Sequence, residues 1–315
     1  MKKLPFIIIA GPTAVGKSKF AIALANEING EIISADSMQV YHHMDIGSAK
    51  ILPSEMGNIP HHLINVLDPK EKFDVVRFQS MAKDALHQIY QRGRIPIIAG
   101  GTGFYIQALL YDIDFTENKE DKSYREYLTS LLDEHKEDTL YELLKQVDPE
   151  SCETIHKNNW KRVIRALEFY HLTGKKISTH NEVERQKESP YNAIYFVLTD
   201  DRSNIYENID VRVDKMIQDG LVDEVKGLLE LGCNRTDISM QGLGYKEIIA
   251  FLEHEISLEE AIYQIKRDTR HFAKRQLTWF RREKDVIWID KQAFSNDEKE
   301  ILEYMKDKIR QANIC

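Results

Sequence analysis

Phe6-Ile7-Ile8-Ile9-Ala10-Gly11-Pro12-Thr13-Ala14-Val15-Gly16-Lys17-Ser18 joins an unbroken apolar run to a glycine turn and a helix-compatible segment. Gly11, Gly16, Lys17 and Ser18 stand at the G-x-x-x-x-G-K-[ST] spacing of a phosphate loop. Glycines let the backbone curl, so that successive N–H groups turn inward on an anion, and the following helix N-terminus adds partial positive charge. Lys17 supplies a point charge for a terminal phosphate, and Ser18 supplies a hydroxyl suited to magnesium. A ligand-free strand-to-helix turn is the plain alternative, and the four signature residues in their strand–helix context weigh against it. The loop specifies a polyphosphate or pyrophosphate, not ATP in particular.

The flanking chain alternates. Residues 4–10 read as a buried strand and 18–29 as a helix carrying Phe20, Ile22, Leu24 and Ile28. Residues 31–35 read as a second strand, 62–67 as a third, 75–92 as a long helix and 95–99 as another buried strand. This is the pattern of a P-loop-like, doubly wound α/β domain with a mostly parallel sheet, which binds ligands at the carboxyl ends of its strands. From Thr116 to Ser189 the texture turns to charged helices, with candidates at 124–132, 140–147 and 161–172. Residues 193–199 then return as a strand. The expected organisation is therefore a core of residues 1–115 plus 191–315, interrupted by a helical insertion at 116–190. The C-terminal part reads as helices at 203–231, 245–254 and 258–284, with a strand at 286–289.

The 315 residues carry 43 Lys and Arg against 51 Asp and Glu, a net charge of −8. Such a balance excludes sequence-blind nucleic-acid binding by overall charge and leaves room for a local basic patch. Cys152, Cys233 and Cys315 are odd in number and far apart, which argues against a disulfide framework and fits a reducing cytosol. The N-terminal apolar run breaks at Gly11-Pro12, too short for a signal peptide or membrane span, so a soluble cytoplasmic protein is expected.

Further candidates lie at strand ends and on helices. Asp36 follows the second strand, where a carboxylate holds magnesium, accepts a proton, or closes a turn. Gly100-Gly101-Thr102-Gly103-Phe104-Tyr105 follows another, where glycines permit close approach of a ligand and Thr102 offers one hydrogen bond. Lys161, Arg162 and Arg165 share one helix, either as a contact surface or as a solvated face. Arg212 is placed to reach an anion or to pair with Asp210 or Asp214. Residues 266–284 hold eight Lys and Arg against Asp268 and Glu283. On one helix, Arg267, Arg270, Lys274 and Arg281 fall within an arc of roughly 60°. That cationic stripe points to a polyanion longer than a nucleotide.

These stretches together resemble the tRNA dimethylallyltransferases, also called tRNA isopentenyltransferases. The resemblance runs through Gly11 to Ser18, Ile33-Ser34-Ala35-Asp36-Ser37-Met38-Gln39-Val40-Tyr41, Met44-Asp45-Ile46-Gly47-Ser48-Ala49-Lys50 and the segment from Gly100 to Tyr105. It continues in Arg162-Val163-Ile164-Arg165-Ala166-Leu167-Glu168, Gly242-Leu243-Gly244-Tyr245-Lys246-Glu247 and residues 269–281, covering the chain to about residue 290. It implies transfer of a dimethylallyl group from dimethylallyl diphosphate to N6 of the adenine just 3′ of the anticodon, in tRNAs reading codons that begin with U. It implies that the phosphate loop, Gly11, Pro12, Thr13, Ala14, Val15, Gly16, Lys17 and Ser18, grips the diphosphate, with Lys17 and Arg212 on its charge and Mg2+ at Ser18. Asp36 becomes the base and Thr102 the threonine of the catalytic mouth. The implied tRNA contacts are Asp36, Ser37, Met38, Gln39, Thr102, Arg125, Lys161, Arg162, Val163, Ile164, Arg165, Arg270, Lys274 and Arg281. A monomer is implied, with no membrane partner.

The sequence departs from the family at Asn208, four residues before Arg212, where members often carry an arginine, and it resembles the bacterial form that lacks a C-terminal zinc finger. The competing reading is a P-loop nucleotide kinase or NTPase. Tyr195-Phe196-Val197-Leu198-Thr199-Asp200-Asp201 imitates the strand and aspartate of its magnesium site, but no arginine-rich lid or base-reading motif accompanies it. A non-catalytic RNA-binding module is a third class, disfavoured by the intact Lys17, Ser18, Asp36 and Thr102.

Overall fold

The computed structural model describes residues 3–115, 121–133 and 137–314. Two compact units result: Met1–Leu110 with Pro190–Cys315, and Tyr111–Ser189. The insertion thus begins at Tyr111 rather than at residue 116. Cys315 and residues 116–120 lie outside the described residues.

The first unit opens with β1 (Leu4–Ala10), α1 (Lys17–Ile28), β2 (Gly30–Ala35) and β3 (His61–His62). It continues with α2 (Val75–Gln91), β4 (Ile95–Gly100) and α3 (Gly103–Leu110). The second unit holds α4 (Lys122–Asp133), α5 (Glu137–Val147), α6 (Pro149–Thr154), α7 (Trp160–Thr173) and α8 (Ile177–Gln186). The chain returns through β5 (Tyr191–Thr199), α9 (Arg202–Gln218), α10 (Leu221–Glu230), α11 (Tyr245–Leu252) and α12 (Leu258–Phe280). It finishes with β6 (Val286–Asp290) and α13 (Glu298–Gln311).

Among the described residues the six strands form one parallel sheet in the order β3-β2-β4-β1-β5-β6. Alternation along buried strands sorts their side chains by face. On one face, Ile7, Ile9, Ile97, Ile194, Phe196, Leu198 and Ile289 pack with Phe20, Leu24 and Ala25 of α1 and with Ile301, Met305 and Ile309 of α13. Each such buried aliphatic side chain contributes about 1.5–3 kcal/mol, so α13, which the sequence reading passed over, holds α1 and with it the turn that precedes α1. In the second unit, Leu128, Leu131, Leu140, Leu144, Val163, Ile164 and Leu167 form a separate core. The Asp148 carboxylate there accepts from the Ser151 and Ser178 hydroxyls, both at 2.6 Å, and so ties α6 to α8.

Two expectations change. The third strand is His61–His62, not 62–67, because Leu63 and Asn65 take φ values of 62° and 53° and bend the chain out of the sheet. The helix expected at 203–231 is two helices, parted at Gly220 with φ 101°. Among the described residues no helix is long and apolar enough to cross a membrane.

Candidate active site

Strand register sets the site. Ala10, Gly100 and Ala35 are partners across the neighbouring strands β1, β4 and β2. The residues that follow them, Gly11, Gly101 and Asp36, therefore leave the sheet side by side at its carboxyl edge, where doubly wound sheets bind ligands.

Behind β1 the chain curls as the motif requires. Gly11 has φ 148°, and a Cβ there would stand 2.5 Å from the Leu198 carbonyl oxygen. Gly16 has φ 97° and leads into α1, which no side chain caps, so its first N–H groups are left for an anion. Thr13 departs from the plain motif. Its N–H donates to Gln276 Oε1 at 2.9 Å, and its Oγ1 accepts from Arg212 Nη1 at 3.0 Å. The loop residue thus anchors two side chains from α9 and α12. Lys17 Nζ donates to the Pro12 carbonyl at 2.8 Å. Burial pushes the Lys17 ammonium from 10.5 down to about 8; repulsion from Arg212 adds to the shift and Asp36 opposes it. Burial also lowers Arg212, again opposed by Asp36. Two cations and one carboxylate therefore share this end of the sheet. Of the alternatives open for Arg212, pairing with Asp210 or Asp214 is set aside: Asp210 is taken by Arg270 at 2.6 Å and Asp214 by Lys266 at 2.7 Å.

Asp36 closes a turn and keeps a free edge. Its Oδ1 accepts from the N–H of Met38 at 2.8 Å and of Gln39 at 3.4 Å. Its Oδ2 accepts no hydrogen bond among the described residues. Thr102 N–H donates to the Ala35 carbonyl at 3.2 Å, fixing the threonine beside Asp36, while its hydroxyl makes no hydrogen bond among the described residues.

The glycines beside Thr102 are each required by the fold. A Cβ on Gly100 would lie 2.2 Å from the Ala35 carbonyl oxygen, one on Gly101 2.2 Å from Gln276 Nε2, and one on Gly103 2.2 Å from Trp279 Cδ1. Strand β2, the buried Gln276 amide and the Trp279 ring fill those positions.

The residues expected to meet tRNA divide. Ser37 and Met38 are half-buried beside Asp36. Gln39 is engaged inward: Oε1 accepts from Ser34 Oγ at 3.2 Å, and Nε2 faces the Ser48 and Ala49 carbonyls. Lys161 and Arg162 are exposed and Arg165 is half-buried, whereas the side chains of Val163 and Ile164 lie in the second unit's core and serve packing. Arg125 clasps the buried Glu168 with Nε at 2.6 Å and Nη2 at 2.9 Å. On α12 and at its end, Lys274 and Arg281 are exposed without an ion pair among the described residues, while Arg270 is held by Asp210. The stripe read as four equivalent cations is thus divided between structure and surface.

Two residues gain a role the sequence did not signal. Gln276 is buried, donates from Nε2 to the Gly101 carbonyl at 3.0 Å, and bridges two strand-end loops. A glutamine inside a basic helix carries no local mark of that. Asp200, the imitation magnesium aspartate, is consumed: Gln292 donates to it at 2.7 Å and Asn204 at 3.0 Å, and Lys291 pairs with it at 3.2 Å.

Comparison with known proteins places the chain. The IPP transferase family profile matches residues 39–283, and an isopentenyl transferase profile matches residues 5–66. A tRNA dimethylallyltransferase from Lachnoclostridium phytofermentans is 58% identical over 302 residues, 96% of this chain and 96% of that relative. The solved tRNA isopentenylpyrophosphate transferase of Bacillus halodurans is 42% identical with a TM-score of 0.74, covering 99% of this chain and 98% of the other. A eukaryotic dimethylallyltransferase solved acting on tRNA is 31% identical with a TM-score of 0.83, covering 99% of this chain and 80% of the other.

Proposed function

The chain belongs to the IPP transferase family, and on that premise we propose that it moves a dimethylallyl group from dimethylallyl diphosphate to N6 of the adenine immediately 3′ of a tRNA anticodon. The tRNAs concerned read codons beginning with U, and diphosphate is released. The observation that carries this reading is the side-by-side exit of Gly11, Gly101 and Asp36, which sets a cationic phosphate grip beside a carboxylate with one free oxygen.

An adenine N6 amine is a weak nucleophile, because its lone pair is conjugated into the ring. The reaction therefore depends on a stabilised leaving group and an allylic carbon bearing developing positive charge. As N6–C forms, the allylic C–O bond breaks and its electron pair passes to diphosphate. Lys17, Arg212 and the uncapped N-terminus of α1 face that growing charge, an electrostatic contribution of about 2.7–4 kcal/mol per well-placed donor. The N6 proton passes to Asp36 Oδ2, a general-base contribution of about 10²–10⁴. Thr102, fixed beside Asp36, offers its hydroxyl to the same adenine. N6 is hard to reach in a stacked anticodon loop, so the base leaves the stack at a cost of a few kcal/mol. Phosphate contacts from exposed Lys161, Arg162, Lys274 and Arg281 offset that cost.

Magnesium fits as a partner of the substrate. The Ser18 hydroxyl is exposed and unbonded among the described residues, and no cluster of three His, Cys, Asp or Glu competes for an ion there. When bound, Mg2+ neutralises charge on the departing diphosphate, and Ser18 is the residue that would hold it. A cytoplasmic monomer belongs to the same reading, in keeping with free Cys152 and Cys233.

The kinase or NTPase reading needs a carboxylate for its metal at the end of β5, and Asp200 there is already held by three side chains. The test is transfer of label from dimethylallyl diphosphate to a cognate anticodon stem-loop. Asp36→Asn should lower turnover by about 10²–10⁴ with tRNA affinity retained. Nucleotide hydrolysis without prenyl transfer to any tRNA would refute the assignment.

A further inference from the structure

The stretch Gly242-Leu243-Gly244-Tyr245-Lys246-Glu247 takes no part in the chemistry above. Its contacts, and those of Glu224 on α10, converge on the loop that carries Asp36. Glu224 Oε2 accepts from the backbone N–H of Asp45 at 2.8 Å and of Ile46 at 2.7 Å. Its Oε1 accepts from Gly47 N–H at 3.0 Å and from the Tyr245 hydroxyl at 2.8 Å. Four donors satisfy one carboxylate, and three of them are successive N–H groups, a concavity of the kind that binds anions. Here the anion is the protein's own side chain. Glycine at residue 47 is required by the ring that closes the arrangement, since a Cβ there would stand 2.6 Å from Tyr245. Burial, reinforced by Glu224, holds the Tyr245 phenol well above its usual pKa, so it stays a donor.

The turn so gripped is connected to Asp36. Gln39 Nε2 faces the Ser48 and Ala49 carbonyls at 3.5 and 3.4 Å, and the N–H of the same residue donates to Asp36 Oδ1 at 3.4 Å. Lys50 is buried and gives its ammonium to the Tyr41 carbonyl, Asp45 Oδ1 and Asn65 Oδ1, each at 2.6 Å. It locks the far end of the turn onto the segment after Asp36. A second contact comes from Gly242, where a Cβ would stand 2.5 Å from the Met38 methyl, and Met38 supplies the stronger N–H bond to Asp36. We propose that Glu224 and Tyr245 are positioning residues for the transfer, clamping the 36–50 loop so that Asp36 presents its free oxygen to the reacting amine. This rests on Asp36 being the base.

Steady-state kinetics with dimethylallyl diphosphate and an anticodon stem-loop test it on Glu224→Gln, Tyr245→Phe, Asp36→Asn and the Glu224→Gln/Asp36→Asn double variant. In Glu224→Gln an amide N–H2 group faces backbone donors. A loosened catalytic group should lower kcat by about 10–100-fold. KM for dimethylallyl diphosphate should hold within about twofold, because the phosphate loop is untouched. Tyr245→Phe keeps the ring against Gly47 and loses one donor, for a loss of about 3–10-fold in kcat. With Asp36→Asn already present, Glu224→Gln should cost less than about twofold more. Equal losses from Glu224→Gln in both backgrounds, or a KM for dimethylallyl diphosphate that rises as far as kcat falls, would overturn the proposal. Wild-type turnover in Asp36→Asn would instead remove the base assignment on which it rests. If Glu224→Gln does not fold, Tyr245→Phe carries the test by the same criteria.

Discussion

Gly101→Ala should disable the joint between β4 and α12. The added Cβ would stand 2.2 Å from Gln276 Nε2, whereas such contacts do not fall below 3.0 Å, so the amide must retreat by roughly 0.8 Å. Gln276 is buried and spends both ends of that amide, on Thr13 N–H at 2.9 Å and on the Gly101 carbonyl at 3.0 Å. A displacement of that size is incompatible with keeping both bonds. Each buried group left unsatisfied costs about 1–3 kcal/mol, so losing the two bonds costs about 2–6 kcal/mol in all. At about 1.5 °C per kcal/mol for a chain of 315 residues, the midpoint of thermal unfolding followed by circular dichroism should fall by about 3–9 °C. The phosphate loop loses its tether through Thr13, so kcat/KM for dimethylallyl diphosphate should fall as well. Gln276→Ala removes the obstacle along with the bonds. In that background Gly101→Ala should cost less than about 0.5 kcal/mol further. Full additivity of the two substitutions, or an unchanged melting temperature for Gly101→Ala alone, would show that the glycine is not there to admit Gln276.

Three further outcomes follow from charge and burial. Lys17 releases its proton near pH 8 in the free enzyme, so kcat/KM for dimethylallyl diphosphate should decline above about pH 8. The unfolded chain holds that proton up to 10.5, so the same group contributes stability that rises between about pH 8 and 10.5; a flat kcat/KM from pH 7 to 10 would contradict the assignment. Lys274→Glu with Arg281→Glu should weaken tRNA binding and flatten its salt dependence by roughly 1.4–1.8 in log–log slope, with diphosphate affinity preserved, measured by filter binding across a salt series. Arg125→Met strands the buried Glu168 carboxylate. Because the Arg125 side chain is 46% exposed, the cost should lie below the about 3–5 kcal/mol of a fully buried pair, and it should appear as faster proteolysis of the second unit.

Local rules carried the sequence reading wherever the cause was local. The apolar run before Gly11, the helical spacing after Phe78 and the β-branched run at 193–199 each became the element expected, and the glycine turn into α1 followed from four residues in eight. What escaped depends on partners far along the chain. Gly101 is explained by Gln276, 175 residues later, and the inward engagement of Gln39 by the turn that Glu224 grips from a distance of 177 to 179 residues. Periodicity holds no information on such pairs. The cationic stripe misled for the same reason: geometry on one helix grouped Arg270 with Lys274, and only the neighbouring helix, through Asp210, separated them. The third strand failed differently, because positive φ at Leu63 and Asn65 interrupts a stretch whose residues favour extension.

The placement of β5 bears on how the chain is made. Strand β1 takes β5 as its full-length neighbour, paired from Leu4↔Tyr191 to Ala10↔Val197, and the whole second unit is synthesised between them. At about 5–20 residues per second, a ribosome needs roughly 10–35 s to supply that partner. Throughout that interval the fully buried run Phe6 to Ala10 has at least one edge unpaired, and both until β4 is made, with its hydrogen-bonding groups open to any extended segment nearby. The second unit builds its own core from residues close in sequence and can close while β1 waits. Slowed elongation or destabilising changes in β5 should therefore tell first on soluble yield, before any effect on the rate of the finished enzyme.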